Sequence, residues 1–219
     1  MVMDAINKAF VVVFAFLVLI THAVQAQRFP SEAATVQQRL VEDIGTEQLA
    51  SALSVAEGAR HTSILLQNGT SNTARIDQQS LSVMGNQAYV AQVGAANALG
   101  LVQTGSGNVT TARQSGTGNQ ADLTQNGQNN TSALTQKGDN NRLTGLAAGS
   151  DIELNIHQNG NNNQVDSEIR QNKQAYTINQ YGNGNTLKQL ESTIEARPGY
   201  TVEMRGSGIN ITIEQGKVK

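Results

Sequence analysis

The sequence predicts an all-β protein: a β-solenoid of stacked 22-residue strand-turn-strand coils with two facing parallel sheets, preceded by a short helical or disordered N-terminal segment. From Gln103 to Gln136, glutamine recurs every 11 residues, with glycine two residues and asparagine five residues after it. Polar and small apolar residues alternate between these positions, which is the period of a strand with one buried face. The chain has 21 Gly and only 2 Pro among 219 residues, a balance that favours frequent turns and unbroken strands.

Each 11-residue unit is predicted to form one strand and one tight turn. In NQADLTQ (119–125), Asn119, Ala121, Leu123 and Gln125 share the inward parity. Glycine in the turn supplies a positive φ angle, which allows the chain to reverse. The predicted turn glycines are Gly69, Gly94, Gly105, Gly116, Gly127, Gly138, Gly160 and Gly182. Two such units complete one coil.

The inward glutamines and asparagines are predicted to stack in ladders about 4.8 Å apart, one rung per coil. A buried amide is costly unless it is hydrogen-bonded, but each side-chain amide has donors for one neighbour and acceptor sites for the other. The predicted ladder positions are Gln67, Asn72, Gln78, Gln92, Asn97, Gln103, Asn108, Gln114, Asn119, Gln125, Asn130, Gln136, Asn141, Gln158, Asn163, Gln171, Gln180 and Asn185. The opposite parity, which includes Arg75, Tyr89 and Thr124, is predicted to be solvated.

Several arms depart from the 11-residue spacing. The interval from Gln78 to Gln92 is 14 residues, which predicts an enlarged turn. The arm that ends at Gln171 is two residues longer than the others, and the next interval is two shorter, so the 22-residue step is restored at Gln180. Glu191 stands where glutamine is expected. A net slip would turn later side chains to the wrong face, so the compensation favours a continuous solenoid.

The phased pattern Gln-x-Gly-x-x-Asn-x-Ala-x-x-x-Gln resembles the curlin repeat of bacterial curli fibres, over roughly 63–191. Two segments, QNGTSNTARIDQ (67–78) and GNQAYVAQVGAANALGLVQ (85–103), resemble arms of the minor curlin, the nucleator subunit. The resemblance implies a secreted subunit that self-associates into amyloid fibres with other curlin subunits and supports cell adhesion and biofilm matrix. It also implies export by the outer-membrane curli secretion machinery. Nucleator-type is favoured over the major, fibre-forming type.

The N-terminal 60 residues differ in composition from the repeats. Lys8 precedes the apolar run 9–20, and small residues at Val24 and Ala26 follow it. This pattern predicts a secretory signal peptide, 1–26, cleaved after Ala26, because an apolar run this short does not reach the roughly 20 residues of a membrane anchor. The next segment, 27–60, is predicted to be one or two short helices or a weakly ordered leader.

The repeat region is predicted to occupy 61–191 and to be followed by an atypical unit at 192–219. Tyr200–Met204 and Ile209–Gln215 alternate in polarity, which is consistent with a hairpin or a degenerate last coil. Matching Arg205 to the glutamine position would place Asn210 at the asparagine position. The unit would serve as a cap, or alternatively as an attachment segment.

The composition argues against several other functions. A net charge of -2 gives no reason to expect a nucleic-acid partner, and the chain has no Cys and only 3 His, so no disulfide or zinc pattern is present. No catalytic residue, metal or cofactor is expected. The alternatives are a soluble, capped β-solenoid adhesin or ice-binding surface, and a polysaccharide-acting β-helix enzyme; no flat threonine array or carboxylate cluster favours the last two.

Overall fold

The computed structural model describes residues 61–80, 82, 84–192 and 198–216. The predicted signal peptide and the 27–60 segment lie outside these residues. The described chain contains 14 β-strands. Within these ranges, no helix is long and apolar enough to cross a membrane.

The strands alternate between two seven-stranded sheets. Sheet A has the order β1-β3-β5-β7-β9-β11-β13 and sheet B the order β2-β4-β6-β8-β10-β12-β14. The sheet A strands are β1 (Thr62–Thr70), β3 (Gln87–Ala95), β5 (Val109–Thr117), β7 (Thr131–Lys137), β9 (Glu153–Asn159), β11 (Ala175–Tyr181) and β13 (Thr201–Arg205). The sheet B strands are β2 (Thr73–Gln79), β4 (Ala98–Ser106), β6 (Gln120–Gln128), β8 (Arg142–Ser150), β10 (Gln164–Ile169), β12 (Thr186–Glu191) and β14 (Asn210–Gln215).

Each odd strand and the even strand after it form one coil, numbered 1 to 7 along the chain. Every recorded strand pair is parallel. The step between coils is 22 residues through the middle, 25 between the first two coils and 24 between the last two. The extra residues lie in the connections, so the pairing register of the strands is preserved. The prediction of a β-solenoid with two facing parallel sheets is confirmed.

The core lies between the two sheets and consists of stacked rows of like residues. Ala88, Val90, Leu101, Leu154 and Ile178 are each at most 1% exposed. Alternate residues along each middle strand are buried, as the burial of β6 and β7 shows. Because the chain lacks tryptophan and is only 4% aromatic, the core is thin, and small aliphatic side chains share it with the amides described below.

Two backbone positions in most of the turns adopt an unusual conformation. At the first, glycines of successive coils stack so closely that a Cβ on Gly94 would lie 2.1 Å from the Gly116 carbonyl oxygen. All eight predicted turn glycines have positive φ. At the second, just before the ladder asparagine, Asn129, Asn140 and Asn162 adopt φ of 54–56°, a left-handed conformation that asparagine tolerates. Where the glycines stack, the first position therefore excludes a Cβ, and the second position does not.

The chain after 197 forms the seventh coil. Strand β13 pairs in parallel with β11, and β14 pairs in parallel with β12, so the two strands lie in different sheets and do not form a hairpin. Met204 is in register with Gln180, which places it, and not Arg205, at the glutamine position. The sequence alignment through Arg205 was wrong by one residue, because burial of Met204 outweighs the match of Asn210 to the motif.

Replacing Gly182 by Ala should lower the free energy of unfolding by more than about 2 kcal/mol. Its φ is 112°, and a Cβ there would lie 1.9 Å from the Gly206 carbonyl oxygen. Gly184→Asn in the same turn is the matched control and should be close to neutral, since φ is 66° and the nearest atom to an added Cβ is 4.0 Å away. Chemical denaturation measures both, and equal destabilisation would contradict the close-stacking argument.

Candidate functional site: the amide ladders and the end coils

A continuous glutamine ladder runs through sheet A. Each Nε2 donates to the Oε1 of the glutamine in the next coil, at 2.6–2.9 Å. The participants are Gln67, Gln92, Gln114, Gln136, Gln158 and Gln180. The ladder ends at the sulfur of Met204, 3.5 Å from the Gln180 nitrogen. All five donors point toward the C-terminal end, so the ladder has a direction.

The same glutamines also connect the two sheets. Nε2 of Gln114 donates to the Ala98 carbonyl at 3.0 Å, and Nε2 of Gln136 to the Gln120 carbonyl at 3.0 Å. Both acceptors belong to sheet B, on the other side of the core. One amide therefore satisfies a neighbour in the stack and a backbone group of the facing sheet, which removes the usual cost of burying it.

The glutamine ladder of sheet B is shorter. Gln78 donates to Gln103, and Gln103 to Gln125, at 2.7 and 2.8 Å. The following coils place Ala147, Ile169, Glu191 and Gln215 at this position. Thr110 donates to Gln125 at 2.8 Å, and Gln125 donates to the Ser132 hydroxyl at 2.9 Å. The inward hydroxyls thus satisfy the last amide of the ladder.

Gln171 does not occupy a ladder position. Strand β10 ends at Ile169, which is in register with Ala147 and Glu191. The arm therefore has the ordinary length, and the longer arm inferred from the glutamine spacing was wrong. Gln171 is buried beside Tyr176, and its amide nitrogen has no hydrogen-bond partner. Ile169 fills the core at this position, and the rung before it, Ala147, offers no hydrogen bond to a side-chain amide.

The asparagines form ladders at the turns. In sheet B, the backbone N–H and the Nδ2 of Asn119 both donate to Oδ1 of Asn97, at 3.1 and 3.0 Å, and Nδ2 also donates to the Gly138 carbonyl at 2.7 Å. Each asparagine therefore bonds to the coil before it and the coil after it. The sheet B participants are Asn72, Asn97, Asn119, Asn141, Asn163 and Asn185; Asn86, Asn108 and Asn130 form the shorter ladder of sheet A.

The predicted ladder positions leave out four polar groups of the interior. Ser132 and Thr110 share the inward parity that predicts their burial, but they were not assigned to the ladder. Asn86 is the start of its ladder, and its backbone N–H donates to Nδ1 of His61 at 3.2 Å, so histidine occupies the asparagine position of the first coil. Tyr200 comes from the connection to the last coil, and no repeat signal marks it.

One outward position was also misread. Tyr89 was predicted to be solvated but is 2% exposed. Ile64, which pairs with it in register, and Ala91 are buried with it. This part of the outer face of sheet A is therefore apolar, whereas elsewhere charges such as Arg75 and Asp77 are solvent-exposed and 3.9 Å apart.

Glu191 is a buried carboxyl in the sixth coil. It is 0% exposed, accepts a hydrogen bond from the Tyr200 hydroxyl, and leaves its second oxygen without a partner. Burial raises the pKa of Glu191, and the hydrogen bond from Tyr200 partly opposes the shift. Burial, with the nearby Glu191 charge, raises the pKa of Tyr176 to about 12. The neighbouring rungs are Ile169 and Gln215, neither of which is charged. Desolvation, and not repulsion between stacked carboxylates, therefore disfavours the ionised form of Glu191.

The interior amides should be the main polar contribution to stability. Gln136→Ala removes the bonds to Gln114, Gln158 and the Gln120 carbonyl and leaves a cavity, so it should lower the free energy of unfolding by about 2–4 kcal/mol. Thr135→Ala, on the outward side of the same strand, should change it by less than about 0.5 kcal/mol. Denaturant melts compare the two, and similar losses would show that the ladder contributes little.

Replacing Glu191 by Gln should stabilise the C-terminal coils by about 1–3 kcal/mol at neutral pH, because the amide still accepts from Tyr200 and is not charged. The raised pKa means that the fold favours the protonated carboxyl. The stability contributed by Glu191 is therefore complete below its ordinary pKa of 4.5 and is lost as the pH rises through the raised value. Melts across pH 4–8 should show this loss in the wild type and in the exposed control Glu214→Gln, but not in Glu191→Gln. Parallel curves for all three would contradict the assignment.

Comparison with known proteins gives one match. The family model of the curlin associated repeat matches residues 116–144, which run from the end of β5 into β8. They include three ladder residues of sheet B (Asn119, Gln125 and Asn141) and two of sheet A (Asn130 and Gln136). No curated protein and no solved structure matches the chain. The matched segment carries the same interior amides and stacked turn glycines as the coils on either side of it, so the chain contains the curlin associated repeat.

Proposed function

We propose that this chain is a secreted structural subunit of extracellular curli-type amyloid fibres, in which the end coils of one subunit stack on those of the next. The observation that carries the proposal is the unpaired strand edge at coil 1, where the ladder residues Gln67 and Asn72 are not covered by another described coil. Exposed β-edges of this kind are templates for further strands. The curlin repeat match and the solenoid point to a structural protein, and we propose no enzymatic activity.

We propose that the chain is exported and assembled as a curlin is. It would enter the periplasm by the signal peptide, be cleaved after Ala26, and leave through the outer-membrane curli secretion machinery. Fibre assembly with other curlin subunits would then support cell adhesion and biofilm matrix. The segment 27–60 precedes the first coil, and we propose that 61–191 is the repeat region and 192–219 a cap.

Within the family, the minor, nucleator-type role is favoured over the major type. The coils carry irregular steps of 25 and 24 residues, and the last coil lacks ladder residues that the middle coils have. A subunit present in many copies would benefit from uniform ends, whereas a nucleator requires only one good template. A soluble, capped solenoid adhesin is the alternative, and it is favoured by the same irregular last coil.

Seeding distinguishes these functions. Purified 27–219, freed of denaturant, should shorten the lag of a major curlin subunit in a thioflavin assay, because a preformed coil removes the nucleation step. The resulting fibres should diffract at about 4.8 and 10 Å. Seeding with the same mass of denatured 27–219 is the control. A folded monomer that leaves the lag unchanged and does not enter the fibres would reject the fibre subunit and place the adhesin first.

A further inference from the structure

The two ends of the solenoid present different chemistry at the ladder positions. Coil 1 carries amides at three of the four positions, and coil 7 at only one. In coil 1 the residues are Gln67, Gln78, Asn72 and His61; in coil 7 the residues in register are Met204, Gln215, Ile209 and Pro198. Because the ladders have a direction, this difference decides which end can continue them.

Coil 1 ends with hydrogen-bonding groups that a further coil would satisfy. Gln67 is exposed and donates to Gln92, but among the described residues none donates to its Oε1. In the coils above it, the same oxygen accepts from the preceding glutamine. The backbone N–H of Asn72 likewise has no acceptor within the described chain, whereas that of Asn97 donates to Oδ1 of Asn72 at 3.0 Å. This end therefore requires one amide N–H over Gln67 and one amide oxygen over Asn72.

Coil 7 hydrogen-bonds to the coil before it, but the side chains of Met204 and Ile209 offer neither an amide N–H nor an amide oxygen to a further coil. The Met204 sulfur accepts from Gln180, and a thioether has no hydrogen to donate. The backbone N–H of Ile209 donates to Oδ1 of Asn185 at 3.1 Å, while its side chain has no oxygen. Ile209, just before β14, and the inward residues Ile211 and Ile213 of β14 are half-buried and pack against the core. The last coil thus ends the sheet A glutamine ladder at Met204 and the sheet B asparagine ladder at Ile209.

Apolar contact alone does not make the two ends complementary. Leu65, on the inward side of β1, is 43% exposed and would pack well on another coil. Stacking coil 1 of a second copy on coil 7 would, however, set Met204 over Gln67 and Ile209 over Asn72. Both polar groups would lose water without gaining a partner, which is unfavourable.

We propose that coil 1 is the polymerisation face of this chain, and that its partner is the terminal coil of a different curlin-repeat subunit with Gln and Asn at the positions held here by Met204 and Ile209. Coil 7 terminates growth. The inference rests on the proposed fibre function and adds to it a direction and a partner chemistry. It makes this chain a subunit that occupies one end of a fibre and does not polymerise efficiently with itself.

Restoring the ladder at coil 7 tests the inference. In 27–219, the double variant Met204→Gln, Ile209→Asn should elongate from its own sheared seeds at least about tenfold faster than the wild type, since each restored pair removes an unsatisfied group. Glu203→Gln with Thr212→Asn is the matched control, because it introduces the same residue types at exposed outward positions of β13 and β14, in the same coil. The control should elongate at the wild-type rate. The two single variants, each checked by circular dichroism, provide the same comparison if the double variant folds poorly.

A second arm tests the face at coil 1. Wild-type 27–219 should bind through coil 1 to the restored ends of double-variant fibres and then stop them, so that small amounts shorten the fibres seen by electron microscopy. Gln67→Met should weaken this capping at least about tenfold, because the substitution removes the acceptor. Gln79→Met, an exposed outward residue of coil 1, should cap as the wild type does.

The possible failures are distinguishable. Equal elongation of the wild type and the double variant, both giving cross-β fibres, would overturn the directional inference and leave the fibre function standing. Undiminished capping by Gln67→Met would overturn the assignment of coil 1 as the docking face. If no variant forms fibres and the wild type does not seed a major curlin subunit, the proposed function is wrong and the inference falls with it.

Discussion

A primary amide carries two N–H donors and an oxygen that accepts twice, and the interior of this solenoid is built around that inventory. Gln114 shows the arrangement in full: it accepts from Gln92, donates to Gln136, and donates again to the Ala98 carbonyl across the core. The bonds form only if the next coil places an identical residue one strand spacing away, about 4.8 Å. Repetition of like residues at equivalent positions of successive coils is therefore a physical requirement of a core that contains amides.

The constraint explains where the chain tolerates irregularity. Extra residues occur in the connections after β2 and after β12, where they do not alter the register of the strands. Substitutions within a ladder occur where a neighbouring rung has already ended, as at Ile169 above Ala147, or where another group takes over, as Ser132 does for Gln125. Glu191 is the costly exception, and Tyr200 from the adjacent connection supplies one of its hydrogen bonds. The glutamine ladder of sheet B is thus interrupted at Ala147, Ile169 and Glu191.

Much of this was accessible from the repeat pattern. The period-2 alternation in 119–125 predicts a half-buried strand, because it is a local property of one segment. The 11-residue recurrence predicts parallel coils, because equivalent residues of successive coils stack on one another. The exceptions are Gln171, Tyr89 and Arg205. In each case the repeat motif or the strand alternation predicted one position or degree of burial for the side chain. Packing against residues distant in sequence produced a different one. Gln171 is the clearest case, since its spacing fits a glutamine count while the strand it follows has already ended at Ile169.

The sequence by itself determined the strand period, the coil length and the residue types that fill the interior, since these follow from local alternation and from recurrence. The tertiary structure decided the direction of the ladders, the pairing of each rung and the difference between the two ends. The sequence shows a glutamine in the same way whether or not its side-chain oxygen accepts a hydrogen bond. Only the stacked coils show that no described residue donates to Oε1 of Gln67, while the Met204 sulfur accepts from Gln180 at the opposite end, because hydrogen-bond direction depends on which coil precedes and which follows.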